Sequence, residues 1–598
     1  MSVTTVHCQT QNVDLIEAVS RYDVQRPTQR CHMVNILLRP WLTFDRVSGV
    51  PGEHEASVTR KASEYKDNIE RANLEIEETI EACLERLGRM RPEKFKSLWA
   101  EIGFCFSIVM SQVLTVRIIS DSGTFTTLIL VQEYFVSGFN VILPTLVSEL
   151  HIPQASQTWP ANAFSLVVSC FLLVFGRLAD MYGGFFVYVA GLAWLAVWSL
   201  VAGFSQNELM MDFCRGLQGL GPAAYLPSSL MLLGSNYRPG LRKNLVFSVY
   251  GACAAVGFYI GIFFAGLTAQ YGAWRWYFFA GTILTAITAV TSYLTIPPDT
   301  QERRALGIKM DWLGTVLIST GLILVVFAIT DSSHAPKGWA TPYIYVLLVV
   351  GMFLLAAAIY VEGWVAEYPL LPFDLFCVKY MASLIIALFF FYGTLGIFLL
   401  YTTFYMTDFM GGSPLKLTAW FSPMAIGGCI IATAGGLVLH IVPGQVLVVF
   451  SGVCWIIAPL LFAIAPIGAN YWAYVFPSMI CATLAIDTTF NVTNIFITTR
   501  MPLRRQGLAG ALINSVLQLG IAFFLGFADV TATAVESKKG LRTAYKAVFW
   551  FEVGCAAFAL VILVLFVRIA RQKSEFTVEE RLALEEEQRR HNNPGSAK

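Results

Sequence analysis

Charge is what this sequence lacks most. Asp, Glu, Lys and Arg make up 14% of 598 residues, where a soluble domain carries about a quarter, so most of the chain cannot face water. The net charge of +1 offers no basic surface for a nucleic acid, and no nucleic-acid partner is expected. Cysteine lacks a pattern. The twelve cysteines are scattered singly, with Cys170, Cys214, Cys253, Cys429, Cys454 and Cys481 all inside apolar blocks. They show neither metal spacing nor pairing and read as small hydrophobes. A phosphate-binding glycine loop, a metal cluster and a catalytic triad are all missing from the sequence, so neither enzyme chemistry nor a cofactor is expected. Met1 leads into a polar segment rather than the apolar core of a cleavable leader.

What is abundant is apolar sequence. Hydrophobic residues are 56% of the chain, and from about residue 100 to 568 they fall into blocks of about 20, the length that crosses a bilayer. Only helices satisfy their own backbone hydrogen bonds in lipid one segment at a time. The expected class is therefore an all-α polytopic membrane protein, with the lipid bilayer as its first partner. Fourteen spans are predicted, at 133–147, 158–179, 185–204, 210–234, 246–270, 275–296, 312–331, 342–362, 381–407, 417–440, 444–466, 470–495, 507–530 and 545–568. Residues 1–97 are polar, with an acidic stretch around Glu75, Glu77, Glu78 and Glu81, and read as a partly helical cytosolic segment; the charged tail 569–598 reads similarly. With the N-terminus inside, the inner loops carry eleven basic residues, among them Arg177, Arg238, Arg242, Lys243, Arg303, Arg304 and Arg505, against six outside, such as Arg275, Lys337 and Arg542. That bias places both termini in the cytosol.

The region before the first span is irregular. Gly103–Leu114 is apolar but short, and a polar break follows from Val116. Residues 116–132 begin with Val, whose codons start GT, and end with Gln, which CAG encodes, so this stretch reads as a retained short intron. Deleting it joins Phe104–Thr115 directly to Glu133–Pro144 as one continuous span and sets Gln112 on the helical face of Asn140. The alternative is a genuine broken or interfacial helix.

Three motifs carry more information. The loop after the second span reads Gly176-Arg-Leu-Ala-Asp180-Met-Tyr-Gly183-Gly; glycines allow a tight turn, and an Asp at a helix end can cap or pair with a neighbouring Arg. The fourth span carries Arg215-Gly-Leu-Gln218-Gly-Leu-Gly221-Pro222, and an Arg inside a span faces a water-filled cavity or a carboxylate unless it snorkels. The fifth holds Gly251, Gly257 and Gly261, six and four residues apart, with Phe258 after the second glycine. Together these resemble the major facilitator superfamily, in its fourteen-span fungal drug:proton antiporter branch, near aminotriazole-resistance proteins and their ammonium- and borate-transporting relatives. Gly436-Leu-Val-Leu-His440 repeats the Gly176–Asp180 spacing, as two related halves would. The resemblance implies two six-helix bundles, 98–297 and 381–568, joined by a loop and two linker helices within 298–380. Some positions depart from the pattern. Met181 and Gly184-Phe185 replace basic residues, Phe258 stands at the antiporter proline, Ile262 at the last glycine, and Phe135 where the first span has an acid.

Other candidate site residues come from polar groups inside apolar blocks. Asp487 and Asn491, with Asn494, form one stripe on the twelfth span, where Asp487 could carry a proton, coordinate a cationic solute or pair with an Arg; hydrogen bonding between helices is the plainer role of the asparagines. With Arg215, Gln218 and Asn140 they form the expected transport and coupling set. Gly176, Asp180, Gly183, Gly257 and Gly261 form the conformational set, and Asn162, Asn514, Gln518 and Glu552 are candidate cavity residues. The resemblance implies alternating-access transport of a small solute, with proton-coupled efflux of a toxic compound as the leading expectation. A facilitator or importer of ammonium or borate is the alternative, and a non-transporting membrane sensor is a third. A monomer in the plasma membrane, rather than the vacuole, is expected. The mature transcript is expected to lack the codons for 116–132; sequencing its major form checks this, and reads retaining them would contradict the insert.

Overall fold

The computed structural model describes residues 133–569 except 154–155, 237–240, 297, 300–307, 372–373, 379 and 501–505. All of these belong to one compact unit, Ile76–Lys598. The expected cytosolic segment 1–97, the insert 116–132 and the tail beyond 569 lie outside the described residues, as do the side chains of Gly436 and His440.

Among the described residues the chain forms fourteen long helices and no strand. They are α1 (Phe139–Glu149, entered through the π-helical turn Tyr134–Gly138), α2 (Trp159–Tyr182), α3 (Gly184–Gly203), α4 (Glu208–Asn236), α5 (Leu241–Tyr271), α6 (Arg275–Thr295), α7 (Trp312–Asp331), α8 (Pro342–Tyr360), α9 (Met381–Met410), α10 (Pro414–Ile441), α11 (Gly444–Ile464), α12 (Phe476–Arg500), α13 (Gln506–Lys539) and α14 (Leu541–Phe566). Twelve are long and apolar enough to cross a membrane. The other two are α1, described only from its helical lead-in at Glu133, and α4, which carries Glu208, Asp212 and Arg215. Each expected span is thus matched by a helix. The largest boundary difference is in α13, which continues past residue 530 to Lys539 because the helix outlasts its apolar run, adding Glu536, Lys538 and Lys539.

Helix pairing shows the two related halves. In the first, α2 packs on α4, α3 on α4 and α6, α1 on α5, and α5 on α6; eight helices later, α10 packs on α12, α11 on α12 and α14, α9 on α13, and α13 on α14. The halves meet through α2 on α13 and α5 on α10, the same pair of positions exchanged. That exchange is what a pseudo-two-fold axis produces. The linker helices α7 and α8 pack on each other, and α7 also lies against both α2 and α13, across one seam between the halves. Helices α9 and α13 are the most enclosed, with 72% of their membrane windows buried, whereas α8 has 22% and so lies at the periphery. Large exposed apolar side chains such as Phe186, Trp276, Leu294, Phe353 and Trp364 form the lipid-facing surface.

Two glycine positions fix geometry that other residues could not. Gly183, the only residue between α2 and α3, has φ 102°, which favours glycine. At the α1–α5 crossing, a Cβ on Gly261 would stand 2.7 Å from the Tyr134 Cα and 2.9 Å from its carbonyl oxygen, both backbone atoms that cannot move cheaply. The same crossing is pinned by Ser137, whose hydroxyl donates to the Phe258 carbonyl at 2.8 Å. Tyr134 and Tyr277 stack at 4.7 Å, and each hydroxyl donates to the other's carbonyl, tying α1 to α6. Gly261→Ala is therefore expected to destabilise the fold by about 1–3 kcal/mol, as overpacking does. Gly554→Ala, with nothing within 4 Å of the added Cβ, should be neutral. Thermal unfolding of the purified full-length protein checks this, and equal stability of the two variants contradicts the crossing.

Candidate functional site

The site is built around Arg215, in the second turn of α4 and 1% exposed. Its Nε donates to the Pro160 carbonyl at 3.1 Å, Nη1 to Gln218 Oε1 at 3.1 Å and Nη2 to the Phe135 carbonyl at 3.3 Å. The guanidinium carbon lies 3.8 Å from the Phe139 ring centroid and 4.4 Å from that of Phe164. Gln218, on the same face at i+3, passes the network on by donating from Nε2 to Ser199 Oγ at 3.2 Å. Every partner is neutral. An isolated charge in lipid is costly, and here carbonyl dipoles and ring faces offset that cost while leaving the positive charge uncancelled.

Arg215 lines a cavity between the halves. Val136, Phe139 and Asn140 of the first helix, Phe164 and Ser165 of α2, Gly396 and Leu399 of α9, and Ile521 and Leu525 of α13 are among its walls. Its volume of ≈ 30 Å³ admits about one or two waters and is too small for an organic solute. Of the sequence-derived candidates, Arg215 and Asn140 meet here, with Gln218 behind them.

The remaining candidates lie elsewhere. Asp487 accepts a 2.8 Å hydrogen bond from Thr483 on its own helix. It lies where α5, α10 and α12 converge: a Cβ on Gly428 would be 3.1 Å from Asp487 Oδ2 and 2.7 Å from the Ala255 Cβ. Glu133, just ahead of Tyr134, is within electrostatic reach of Asp487. Sequence reasoning looked for a first-span acid at Phe135 and passed over Glu133 two residues earlier. Asn491 is half-buried one turn along α12. Asn162 donates to Thr330 of α7 at 2.7 Å, and Asn514 donates to the Gly510 carbonyl of its own helix at 2.9 Å. Gln518 and Glu552 are buried, and among the described residues Gln518 Oε1 and both Glu552 carboxyl oxygens lack a partner. These last four do not line the closed cavity.

The loop motif works through the backbone. Gly176 faces Pro227 of α4 and Ala511 of α13, where an added Cβ would stand at 3.4 and 3.7 Å, ordinary contact distances. Arg177 Nε donates to the Lys309 carbonyl at 3.1 Å, Asp180 is half-buried and engaged by its surroundings, and Gly257 is buried in α5. Asp299, beyond α6, accepts from the Gly184 and Phe185 amides at 2.9 and 3.2 Å and so caps α3. No local signal marks it, because the cap comes from across the fold.

Truncating Arg215 would leave buried Gln218 Oε1 without its donor and remove one partner each from the Pro160 and Phe135 carbonyls, at about 1–3 kcal/mol for an unsatisfied buried group. Arg215→Ala is therefore expected to lower the thermal midpoint of the purified protein, and Arg215→Lys to lower it less. An Ala variant as stable as wild type contradicts the network.

Known proteins match this architecture. The sequence model of the Major Facilitator Superfamily matches residues 125–525. The low affinity ammonium transporter of Saccharomyces cerevisiae is 35% identical over 71% of this chain and 83% of its own length. Efflux pump terJ of Aspergillus terreus is 31% identical over 89% of this chain and 96% of its own. The aminotriazole resistance protein of Saccharomyces cerevisiae is 31% identical over 79% and 84%. Among solved structures, a peptide transporter POT aligns with TM-score 0.54 over 82% of this chain and 99% of its own, at 13% identity, and shows the same fold. A family match over most of the chain, paired halves and a cavity between them lead to one conclusion: this chain is a multi-pass membrane transporter of the major facilitator superfamily.

Proposed function

We propose that the protein exports a small toxic organic solute by alternating access, driven by the proton gradient. It acts as a monomer in the plasma membrane with both termini in the cytosol. The observation that carries this reading is the Arg215 centre, a buried cation with no carboxylate partner among the described residues, in the wall of a cavity shared by both halves. Such a site attracts a neutral or acidic solute bearing hydrogen-bond acceptors and repels a cation. The similarity to efflux pump terJ and to the aminotriazole resistance protein supports export.

In this reading Arg215 and Asn140 contact the solute, and Gln218 holds the guanidinium. Asp487, with Glu133 in electrostatic reach, carries the coupling proton, and Asn491 extends that stripe. The glycines at 176, 183, 257 and 261, with Asp180, set the hinges. Asn162, Asn514, Gln518 and Glu552 become accessible as the cavity widens. Residues 116–132 remain an insert absent from the mature chain. A second reading, passage of ammonium, is favoured by the 35% identity to the low affinity ammonium transporter; an ammonium ion would have to avoid the fixed charge of Arg215 or deprotonate before passing it.

Flux of radiolabelled aminotriazole and radiolabelled methylammonium in liposomes bearing the full-length protein separates the two. Aminotriazole is expected to move against an imposed proton gradient and to stop when the gradient is collapsed. Arg215→Ala and Asp487→Asn should each reduce that flux at least about tenfold, equivalent to about 1.4 kcal/mol, at unchanged membrane abundance. Flux indifferent to the gradient rejects proton coupling, and normal flux in both variants rejects these site roles. Methylammonium alone being carried decides for the second reading.

A further inference from the structure

The seam between α2 and α13 contains an acid that the transport site does not use. Asp529 of α13 is 5% exposed. Thr158, just before α2, donates its hydroxyl to Asp529 Oδ2, and Tyr401 of α9 donates to Oδ1 at 2.8 Å. Thr158 and Tyr401 are each 1% exposed. One carboxyl therefore joins the two halves. Next to it Asn162 of α2 donates to Thr330 of α7 at 2.7 Å, and Gly526 of α13 lies so close to Thr330 that a Cβ would stand 2.8 Å from its hydroxyl oxygen. Four helices thus meet around Asp529.

The companion seam is different. On the same face, α5 and α10 are joined by neutral groups: the Leu415 amide donates to Gln270 Oε1 at 3.1 Å, and Thr418 donates to the Ile262 carbonyl at 3.2 Å. Several titratable groups sit on the elements packed against α13. These include Arg177 and Asp180 on α2, Glu208, Asp212 and Arg215 on α4, Asp331 with His334 at the end of α7, Tyr401 and Asp408 on α9, Asp487 on α12, and Arg542, Tyr545, Lys546 and Glu552 on α14; Glu536, Lys538 and Lys539 are on α13 itself. Burial holds the His334 imidazole below its ordinary value, toward the neutral form, against the pull of Asp331. Tyr545 donates to Asp408 at 3.0 Å, and Arg542 donates to the Ala465 carbonyl at 3.0 Å. Among the described residues no Arg or Lys donates to Asp529.

We propose that Asp529 is a proton-binding site that couples closure of the α2–α13 seam to uptake of a proton from the membrane face where α2 begins. A carboxylate enclosed by two hydroxyls and no cation bears an ionic desolvation penalty that a neutral acid avoids. As the seam closes, a proton from water on that face adds to Oδ2. Oδ2–H then donates to Thr158 Oγ1, the Thr158 contact reverses, and Tyr401 continues to donate to Oδ1. As the seam opens, water reaches the group, the proton returns to that water, and the hydrated carboxylate holds the seam apart. Because α7 is fastened to α2 through Thr330, the linker pair moves with the seam. This rests on alternating access as proposed above and needs neither the identity of the solute nor its direction.

The test uses the full-length protein in intact cells, with Leu525→Cys, one turn below Asp529, in a background free of native cysteines. Relative to a cysteine at exposed Ser537, which corrects for the pH dependence of the thiolate itself, labelling by a membrane-impermeant maleimide is expected to be several-fold faster at alkaline than at acidic external pH, and all rates below are so normalised. Asp529→Asn should label slowly at both, Asp529→Glu should restore the dependence, and Thr158→Val should speed labelling at acidic pH. A pH dependence unchanged in Asp529→Asn, or absent in the otherwise native chain, overturns the proposal. Infrared spectra of the purified protein without the cysteine changes give a second reading: a carboxylic-acid C=O band missing from Asp529→Asn supports it, and an identical spectrum overturns it. If gradient-driven flux is absent while the Asp529-dependent labelling persists, the proton-coupled export reading fails and the seam assignment stands.

Discussion

The structure depends on a buried cation that, among the described residues, is held without an anion. Arg215 lies where lipid and protein exclude water, and its charge is balanced only by carbonyls, one amide and two aromatic faces. To supply those partners, α1, α2 and α4 must converge within hydrogen-bond reach. Convergence on the first helix in turn requires α1 to cross α5 at the distance that Gly261 and Ser137 permit. The cage therefore fixes the geometry of the first half, and the second half closes the cavity with small or aliphatic residues, Gly396, Leu399, Ile521 and Leu525.

The acids are arranged differently. Asp487 and Asp529 each lie beside a junction of the two halves, Asp487 where α5 and α10 meet and Asp529 between α2 and α13. The pseudo-symmetric pairing makes these junctions counterparts. In the proposed alternating-access mechanism, titratable groups at the seams would let protons bias the motion without entering the cation's own site. The linker helix α7, bridging α2 and α13, adds a brace to one seam only.

Much of this was legible in the sequence because lipid imposes a simple code. Apolar blocks marked the fourteen long helices among the described residues, twelve of them long and apolar enough to cross a membrane, and an Arg within such a block singled itself out as Arg215. Gly183 reads as part of a tight turn within the loop 180–184, and the structure narrows that loop to Gly183 alone, at φ 102°. What stayed hidden were the contacts that join distant parts of the chain. Asp529 stood next to the expected end of its span and resembled an interfacial residue, since its partners Thr158 and Tyr401 are 371 and 128 positions away. Asp299 caps α3 from 115 positions downstream. Glu133 was overlooked because it adjoins the proposed insert, where the register of the first span is hardest to read. Asn162 was anticipated as a cavity residue, yet it fastens α2 to the linker helix, a role that hydropathy does not encode.

The central claim is that the two halves rock about the Arg215 cavity. Pulsed spin–spin distance measurements test it most directly, with one pair of labels at Ser156 and Ser537 and another at Tyr182 and Gln506, flanking opposite ends of α2 and α13. Across conditions that shift the conformational equilibrium, the account predicts reciprocal changes, one pair lengthening as the other shortens. Distances at both ends that rise and fall together, or that never change, would contradict it.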